Sequence, residues 1–371
     1  MGDNYVESES LSTMNARLGI VDGLRGIAVM QVVWFHLWVM QHVGAPFAWL
    51  DFIPKTGNFG LFLFFFVSGF VIVYPFLRDE ALGTPIPRWG HFAWRRFVKI
   101  IPSYVLTIAV AYVTGFAVVE RGHATVAQEL ITHALFIYSW WPGLDSTVNG
   151  VLWTLAIEVQ FYVLFPLIWR CFRTSPWPTG LGLIAFALAL RIWRSELFPP
   201  DAVNVLSANL PNFIDLFAFG MLSAWCYVHL GPKIDRPIRR YGTSLLALVG
   251  SATIVVTAAT VASDHPWLPS NPLHEVLGFG FAALTVGALA SAQPWTILLS
   301  NPLLRFLATI SYNLYLYNWM ITYGVGHLTG AAFVIAAVGL SIAAGALVTF
   351  ALERPLLRLP DPAWFRRPTE M

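Results

Sequence analysis

Ten stretches of roughly 20 predominantly apolar residues constrain this chain more than any other feature of its sequence. A helix of about 20 residues crosses the hydrocarbon core of a bilayer. The stretches are apolar on all sides and do not alternate, which favours helices over the strands of a β-barrel. The sequence therefore predicts an all-α, polytopic membrane helix bundle with spans at 21–42, 58–78, 97–119, 150–170, 178–196, 211–230, 241–262, 274–294, 306–326 and 330–352.

A further apolar stretch, 127–140, is too short to cross a bilayer. A broken segment at membrane depth must be buried in protein or line a cavity. We therefore expect one re-entrant or interfacial helix in addition to the ten spans.

The composition excludes several classes of protein. Hydrophobic residues make up 57% of the chain and charged residues only 11%, against about a quarter charged in ordinary globular proteins. A soluble globular enzyme, a disordered chain and a nucleic-acid-binding protein are all inconsistent with these values. The two cysteines, Cys171 and Cys226, lie in apolar runs and support neither a disulfide framework nor a metal cluster, so we expect no metal.

Charge placement predicts the orientation. With the N-terminus in the cytoplasm, Arg25 lies within a span, and the only Lys and Arg residues on the outer side, in segments or at span ends, are Lys55, Arg121, Arg191 and Arg194. This distribution follows the positive-inside rule and places both termini in the cytoplasm. The first sixteen residues are acidic and lack the basic region of a signal peptide. We expect a disordered cytoplasmic tail at 1–16, a transmembrane domain at 17–358 and a cytoplasmic tail at 359–371.

The first span has the densest set of ionisable side chains, which are functional candidates because they are costly in a bilayer. Arg25 and His36 are separated by three helical turns plus about 20°, so they share one face, roughly 16 Å apart along the axis. Asp22 lies one turn before Arg25 and is placed to pair with it. The alternative is an interfacial Arg–Asp pair and a histidine that only packs in the core.

Glu158 lies well inside the fourth span. At 1.5 Å per residue, Glu158 lies roughly 18–20 Å and His36 roughly 22–24 Å from the cytoplasmic ends of their spans. A His–carboxylate pair orients a general base and raises its basicity, so we expect these two side chains to pair. The alternative is a structural pair between Glu158 and an arginine. Tyr162, one turn from Glu158, and Trp153, at the start of the span, are candidates for contact with substrate.

Three cations, Arg95, Arg96 and Lys99, lie at the entrance to the third span, and two pairs of them are neighbours on the helix surface. Such a cluster suits an anion, most naturally a phosphate. Anchoring to lipid headgroups explains it equally well.

Other polar groups in the spans give less specific signals. Asp215 either lines an external mouth or caps its helix, and Asn318 either bonds a substrate or joins two helices. Ser68-Gly69 indicates close helix packing, and Glu353-Arg354-Pro355 is expected to end the last helix.

Taken together and in order, these blocks resemble the acyltransferase-3 family of integral membrane proteins, typified by O-antigen O-acetyltransferases. Each block is weak alone, but their order over nearly the whole chain is specific. The matching blocks are Asp22-Gly23-Leu24-Arg25-Gly26-Ile27-Ala28 with His36, Phe64-Phe65-Phe66-Val67-Ser68-Gly69-Phe70, Arg95-Arg96-Phe97-Val98-Lys99 with Pro102, Trp153-Thr154-Leu155 with Glu158, Phe161 and Tyr162, and Ser311-Tyr312 with Tyr315-Leu316.

The resemblance implies an enzyme that moves an acyl group, usually acetyl from acetyl-CoA, to a hydroxyl of a glycan or small molecule. It implies catalytic roles for Arg25, His36 and Glu158. It also implies that acyl-CoA binds at the basic block, with Arg25 beside the extended arm. The third basic position is more often Arg than Lys in the family, and the ninth-span motif usually ends in His where this chain has Asn318. We interpret the chain as a stand-alone member in the inner (plasma) membrane, without a fused extracytoplasmic domain.

Several alternatives stay open at this level. We expect a cell-envelope glycan or glycolipid as the acceptor, and a small molecule such as an antibiotic sugar is the alternative. A proton-coupled transporter also uses intramembrane His, Glu and Arg, but it favours inverted repeats, which the sequence does not visibly contain. A structural or lipid-binding membrane protein is the third class. The expected partners are acyl-CoA, the acceptor and membrane lipids, without nucleic acid. The sequence does not determine the acyl chain length or the oligomeric state.

Overall fold

The computed structural model describes residues 2–117, 125–140, 148–197, 208–231, 241–263, 271–291 and 294–360, with side chains from Leu18 onward. Within these ranges the regular structure is helical and contains no strand, which confirms the all-α class. A long helix forms at each of the ten predicted spans. We number these helices in chain order: α1 Gly2–Gln41, α2 Phe59–Ala81, α3 Trp89–Val113, α4 Trp153–Thr174, α5 Pro176–Leu197, α6 Ile214–His229, α7 Thr243–Val261, α8 Leu273–Ala290, α9 Pro302–Gly324 and α10 Gly330–Val348.

Seven helices in the described ranges are long and apolar enough to cross a membrane, as judged by length and composition. They are α1 from Leu18, α2, α3, α4, α7, α8, and α10 together with its extension to Leu357. The other three helices are shorter or contain more polar side chains. Helix α6 has only 16 residues, α5 contains Arg191 and Arg194, and α9 is rich in Tyr and Asn but is buried over most of its length. The chain is a polytopic membrane protein.

Small residues bring the helices into direct backbone contact. A Cβ atom added to Gly69 of α2 would lie 2.1 Å from the carbonyl oxygen of Phe217 in α6, and one added to Gly220 would lie 2.0 Å from that of Phe66. Such contacts are typical of membrane bundles, where packing replaces the hydrophobic driving force. The close packing predicted at Ser68-Gly69 is therefore present, and it holds α2 against α6.

The structure differs from the sequence prediction at two helix ends. Helix α3 begins at Trp89, so its three cations lie inside the helix and not at its entrance. The last helix does not end at Glu353-Arg354-Pro355, as predicted, because a π-helical turn over Thr349–Glu353 connects α10 to a short helix, Arg354–Leu357. Proline is compatible with this position because the first turn of a helix needs no N–H from it.

The chain termini lie largely outside the described side chains. Helix α1 is assigned from Gly2 and so overlaps the tail predicted at 1–16, whose side chains are not described. Most of the tail predicted at 359–371 also lies outside the described residues. Both tails stay predictions.

The short apolar stretch predicted as re-entrant or interfacial forms the nine-residue helix Val126–Ala134. At 1.5 Å per residue it is about 14 Å long, too short to cross a bilayer. The turn that follows it buries Tyr138 completely, and the ring of His133 stacks on Tyr138 at 4.0 Å. Burial lowers the pKa of His133. The segment also packs against α3 through the hydroxyl of Tyr104, which donates to the carbonyl of His133 at 3.2 Å.

Candidate active site

Residues from four helices line a small cavity with a volume of about 50 Å³. Its charged side chains are Arg25 and Glu158, which the sequence places in different spans and which the fold brings to one site. Apolar side chains form most of the remaining wall. The lining residues are Arg25 of α1; Leu61, Phe64, Phe65 and Ser68 of α2; Thr154, Leu155 and Glu158 of α4; and Ser311, Tyr312, Tyr315 and Leu316 of α9.

Two hydroxyl groups hold the carboxylate of Glu158. Ser68 Oγ donates to Glu158 Oε1 at 2.6 Å, and Tyr162 OH donates to the same oxygen at 2.5 Å. Charge-assisted hydrogen bonds of this kind are stronger than neutral ones and fix the group they bind. The second oxygen, Oε2, has no hydrogen-bond partner within the described ranges. The Ser68-Gly69 pair therefore has two functions, because Gly69 packs on α6 while Ser68 orients Glu158.

Arg25 lines the cavity as a cation without a direct partner. Its guanidinium makes no hydrogen bond or salt bridge to any residue in the described part of the chain. The salt bridge predicted with Asp22 is absent, although Arg25 lies close enough to Asp22, Lys99 and Tyr162 to interact electrostatically. A partly buried arginine without a direct hydrogen-bond partner is a ready site for an anion or a polarised carbonyl oxygen.

The three cations of α3 point to different partners. Arg95 Nη1 donates to the carbonyl oxygen of Leu357 at 2.6 Å. The guanidinium of Arg96 lies over the rings of Phe92 and Tyr162, 5.6 and 5.4 Å from their centroids. Its Nε atom is buried and has no hydrogen-bond partner among the described residues.

Lys99, the third cation, forms a salt bridge with Glu353. Its ammonium also lies 5.5 Å from the ring centroid of Tyr312, which lines the cavity. Glu353 is almost fully buried, and its other oxygen accepts from Asn313 Nδ2 at 2.8 Å. The sequence pattern indicated only a helix end at Glu353. The sequence signal that could have indicated this pair was an acidic residue, Glu353, predicted at the same end of the bundle as Lys99, for which no partner was predicted.

His36 does not pair with Glu158, so that prediction was wrong. Its Nδ1 atom lies 2.5 Å from Asn318 Oδ1, and its ring centroid lies 4.9 Å from that of Trp319. His36 is not part of the cavity lining. The lining ends on α9 at Tyr315 and Leu316, two to three residues before Asn318, which is about 3–4.5 Å along a helix axis.

Three of the four predicted substrate-contact residues have other partners. Asn318 is fully buried beside His36. Tyr162 binds Glu158 from the same helix. The indole of Trp153 packs against Phe213, with ring centroids 5.7 Å apart.

Asp215, the fourth, lies in a buried ion cluster outside the cavity. Its carboxylate accepts from Arg191 Nη2 at 2.7 Å and lies 3.5 Å from His274 Nδ1. Arg191 also forms a salt bridge with Glu275, so the cluster joins α5, α6 and α8. Asp215 Oδ1 in addition accepts from the backbone N–H of Leu216 at 2.9 Å. The geometry thus gives Asp215 a structural role.

Comparison with known proteins supports the resemblance. Residues 18–354 match the acyltransferase-3 family, described as an acyltransferase domain. The chain is 26% identical over 326 residues to peptidoglycan O-acetyltransferase OatA of Listeria monocytogenes, covering 81% of this chain and 49% of that protein. It is 26% identical over 401 residues to acyltransferase MdmB of Streptomyces mycarofaciens (94% and 96%) and 26% identical over 374 residues to nodulation protein 10 of Rhizobium leguminosarum bv. viciae (93% and 95%).

The chain thus spans about half the length of OatA and nearly the full length of the other two relatives. No solved structure matches it. Arg25, His36, Glu158 and the three cations of α3 lie within the matched range. Because that match extends over most of its length, the chain belongs to the acyltransferase-3 family.

Proposed function

We propose that this chain is an integral-membrane O-acyltransferase that moves an acyl group, first of all acetyl, from cytoplasmic acyl-CoA to a hydroxyl of a cell-envelope glycan or glycolipid. The observation that carries the proposal is the cavity in which Arg25 has no direct partner among the described residues while Glu158 is held by two hydroxyls. A functional site can retain an uncompensated charge that a purely structural one would neutralise.

The cavity has the character that an acyl-CoA arm needs. Its walls are mostly apolar, and Arg25 supplies one cation at the end nearer to Lys99. Arg95 and Arg96 keep a charge that no described carboxylate compensates, whereas the charge of Lys99 is already compensated by Glu353, so the two arginines are the proposed phosphate ligands. The extended arm of the donor would run along α1 from Arg25 towards His36, a distance of roughly 16 Å.

His36 is the proposed general base. Its Nε2 atom takes the proton of the acceptor hydroxyl while that oxygen attacks the thioester carbonyl. A C–O bond forms, the C–S bond breaks, and the CoA thiolate leaves and is reprotonated by the imidazolium. Arg25 and Glu158 act on the acyl donor. Arg25 stabilises negative charge on the donor, and Glu158 provides a polar group in the cavity beside Arg25.

The membrane orientation proposed from the positions of Lys and Arg is consistent with donor binding at Arg25 and proton transfer at His36. With both termini in the cytoplasm, α1 begins at the inner face of the plasma membrane and His36 lies five residues before its outer end at Gln41. An acceptor reached from the outer side would then meet a donor delivered from the cytoplasm.

A transfer assay with the purified protein tests the proposal. The full chain in nanodiscs with co-extracted lipid is incubated with radiolabelled acetyl-CoA, and both CoA release and the labelled product are measured. The variants are His36→Ala and, as a matched control, His327→Ala, which removes an exposed histidine beyond the end of α9. We expect label in a lipid-extractable or glycan product with the wild type and the control, and none with His36→Ala.

Two results would change the proposal. Label that appears only in a water-soluble small product would replace the envelope acceptor by a small molecule. If the wild-type protein releases no CoA from any of a range of acyl donors, the acyltransferase proposal fails and a transport function gains weight.

A further inference from the structure

The carboxamide of Asn318 has all of its hydrogen-bonding groups occupied by side chains from three helices. Its Oδ1 atom lies 2.5 Å from Nδ1 of His36 on α1. Its Nδ2 atom lies 3.1 Å from Ser341 Oγ on α10 and 3.3 Å from Thr322 Oγ1 on its own helix. Asn318, Ser341 and Thr322 are all completely buried.

This set of partners favours one orientation of the amide. A carboxamide has two N–H donors on nitrogen and an acceptor oxygen. In the observed orientation each N–H faces one hydroxyl oxygen and the carbonyl faces the imidazole. In the reversed orientation both N–H groups would face His36 Nδ1, whose single lone pair can accept from only one of them. A buried unpaired donor is costly.

The orientation of Asn318 determines which nitrogen of His36 carries the hydrogen. Because the amide oxygen accepts only, His36 Nδ1 must donate. In the neutral imidazole the other nitrogen, Nε2, then has the free lone pair. Within the described ranges Nε2 makes no hydrogen bond.

We propose that Asn318 is a positioning residue that holds His36 in the Nδ1–H tautomer and so presents Nε2 as the base. The inference rests on the proposed function, in which His36 accepts the proton of the acceptor hydroxyl. It gives Asn318 a role in place of the substrate contact expected from the sequence.

The surroundings of His36 allow a pH profile to report the protonation of its imidazole. Helix α9 presents Asn318 and Trp319 to the ring, α1 presents Phe35, and Ser341 of α10 binds the Asn318 amide. No charged side chain in the described part of the chain interacts with His36. A charge introduced at position 318 would therefore be the dominant electrostatic change at the imidazole.

Two substitutions separate positioning from packing. Asn318→Asp keeps an acceptor for Nδ1–H but adds a negative charge, which favours the imidazolium. Because the base must be unprotonated, the acidic limb of the pH profile of kcat/KM should move up by about one pH unit or more. Asn318→Leu keeps the volume but removes the acceptor, and we expect kcat to fall about tenfold to a hundredfold with little change in KM for acetyl-CoA.

A spectroscopic measurement tests the tautomer without depending on activity. Nitrogen NMR of protein labelled with ¹⁵N-histidine, with His36→Gln as the assignment control, reports which ring nitrogen carries the hydrogen. We expect hydrogen on Nδ1 in the wild type and a mixture of tautomers in Asn318→Leu.

The outcomes distinguish this inference from the proposed function. Hydrogen on Nε2 of His36 in the wild type, or an active Asn318→Asp enzyme with an unmoved acidic limb, would overturn the inference. Full transfer by His36→Ala would instead overturn the role of His36. If the position-318 variants do not fold, the wild-type spectrum still decides the tautomer.

Discussion

Removing the charge of Glu353 should destabilise the bundle through Lys99. The Glu353 side chain is 4% exposed and that of Lys99 23% exposed, so the pair is largely withdrawn from water. Glu353→Gln keeps the shape of the side chain and an oxygen for Asn313 Nδ2. It leaves the ammonium of Lys99 uncompensated between α3 and α10.

The size of the effect follows from the burial of the pair. Removing one partner of a buried ion pair costs about 3–5 kcal/mol, because the remaining charge is unpaired. Because the Lys99 side chain is still partly exposed, we expect a loss of unfolding free energy near the lower limit, about 3 kcal/mol. In the double variant Lys99→Met/Glu353→Gln no charge is left behind, and most of this loss should be recovered.

A double-mutant cycle measures this directly. The free energy of unfolding is determined by denaturant titration in mixed micelles for the wild type, both single variants and the double variant. We expect a coupling of about 2–3 kcal/mol between positions 99 and 353. The matched control is the ion pair Arg173–Glu80, whose side chains are 51% and 34% exposed, and for which coupling should stay below about 1 kcal/mol. Additive effects within about 0.5 kcal/mol at 99 and 353 would refute the reasoning.

Three further changes test other parts of the fold and site. Gly69→Ala should lower the free energy of unfolding by about 1–3 kcal/mol, because the added Cβ would clash with a backbone carbonyl. The control Gly182→Ala, whose added Cβ would meet nothing within 4 Å, should not destabilise the protein in the same titration. Arg191→Leu should cost about 3–5 kcal/mol in unfolding free energy by leaving buried Asp215 without its main partner, and loss of transfer by the folded variant would contradict a purely structural role. Ser68→Ala removes one hydrogen bond to the cavity carboxylate, and kcat/KM for acetyl-CoA should fall about tenfold; an unchanged value would show that this bond is not used.

The spans could be predicted because apolar length is a local property of the sequence. Every predicted span coincides with a long helix, including α6 with its 16 residues and the polar α9. Helix α9 is acceptable in a membrane because its neighbours bury most of its Tyr and Asn side chains. That burial cannot be predicted from the sequence of α9 alone.

The partners of the site residues could not be predicted in the same way. Depth along a helix follows from counting residues, and the estimated depths of His36 and Glu158 agree to within a few ångströms. Depth does not give the direction in which a side chain points, because that depends on helix rotation and tilt. His36 faces α9 and meets Asn318, whereas Glu158 faces α2 and meets Ser68.

The partners of the three cations of α3 could not be predicted from the sequence either. Arg95, Arg96 and Lys99 were predicted as one cluster from their spacing alone. The extension of α10 through its π-helical turn brings Glu353 and the carbonyl of Leu357 against α3 and draws two of the three cations away. A long-range contact of this kind has no local signal in the sequence.

The separation of donor binding at Arg25 from proton transfer at His36 is the central claim, and one paired measurement tests it most directly. Binding of a non-transferable acetyl-CoA analogue and turnover of acetyl-CoA are measured on the same folded preparation of His36→Ala and compared with the wild type. We expect a dissociation constant within about twofold of the wild type and turnover reduced at least about a hundredfold. Turnover that persists near the wild-type rate, or donor binding that is lost together with turnover in a folded protein, would contradict it.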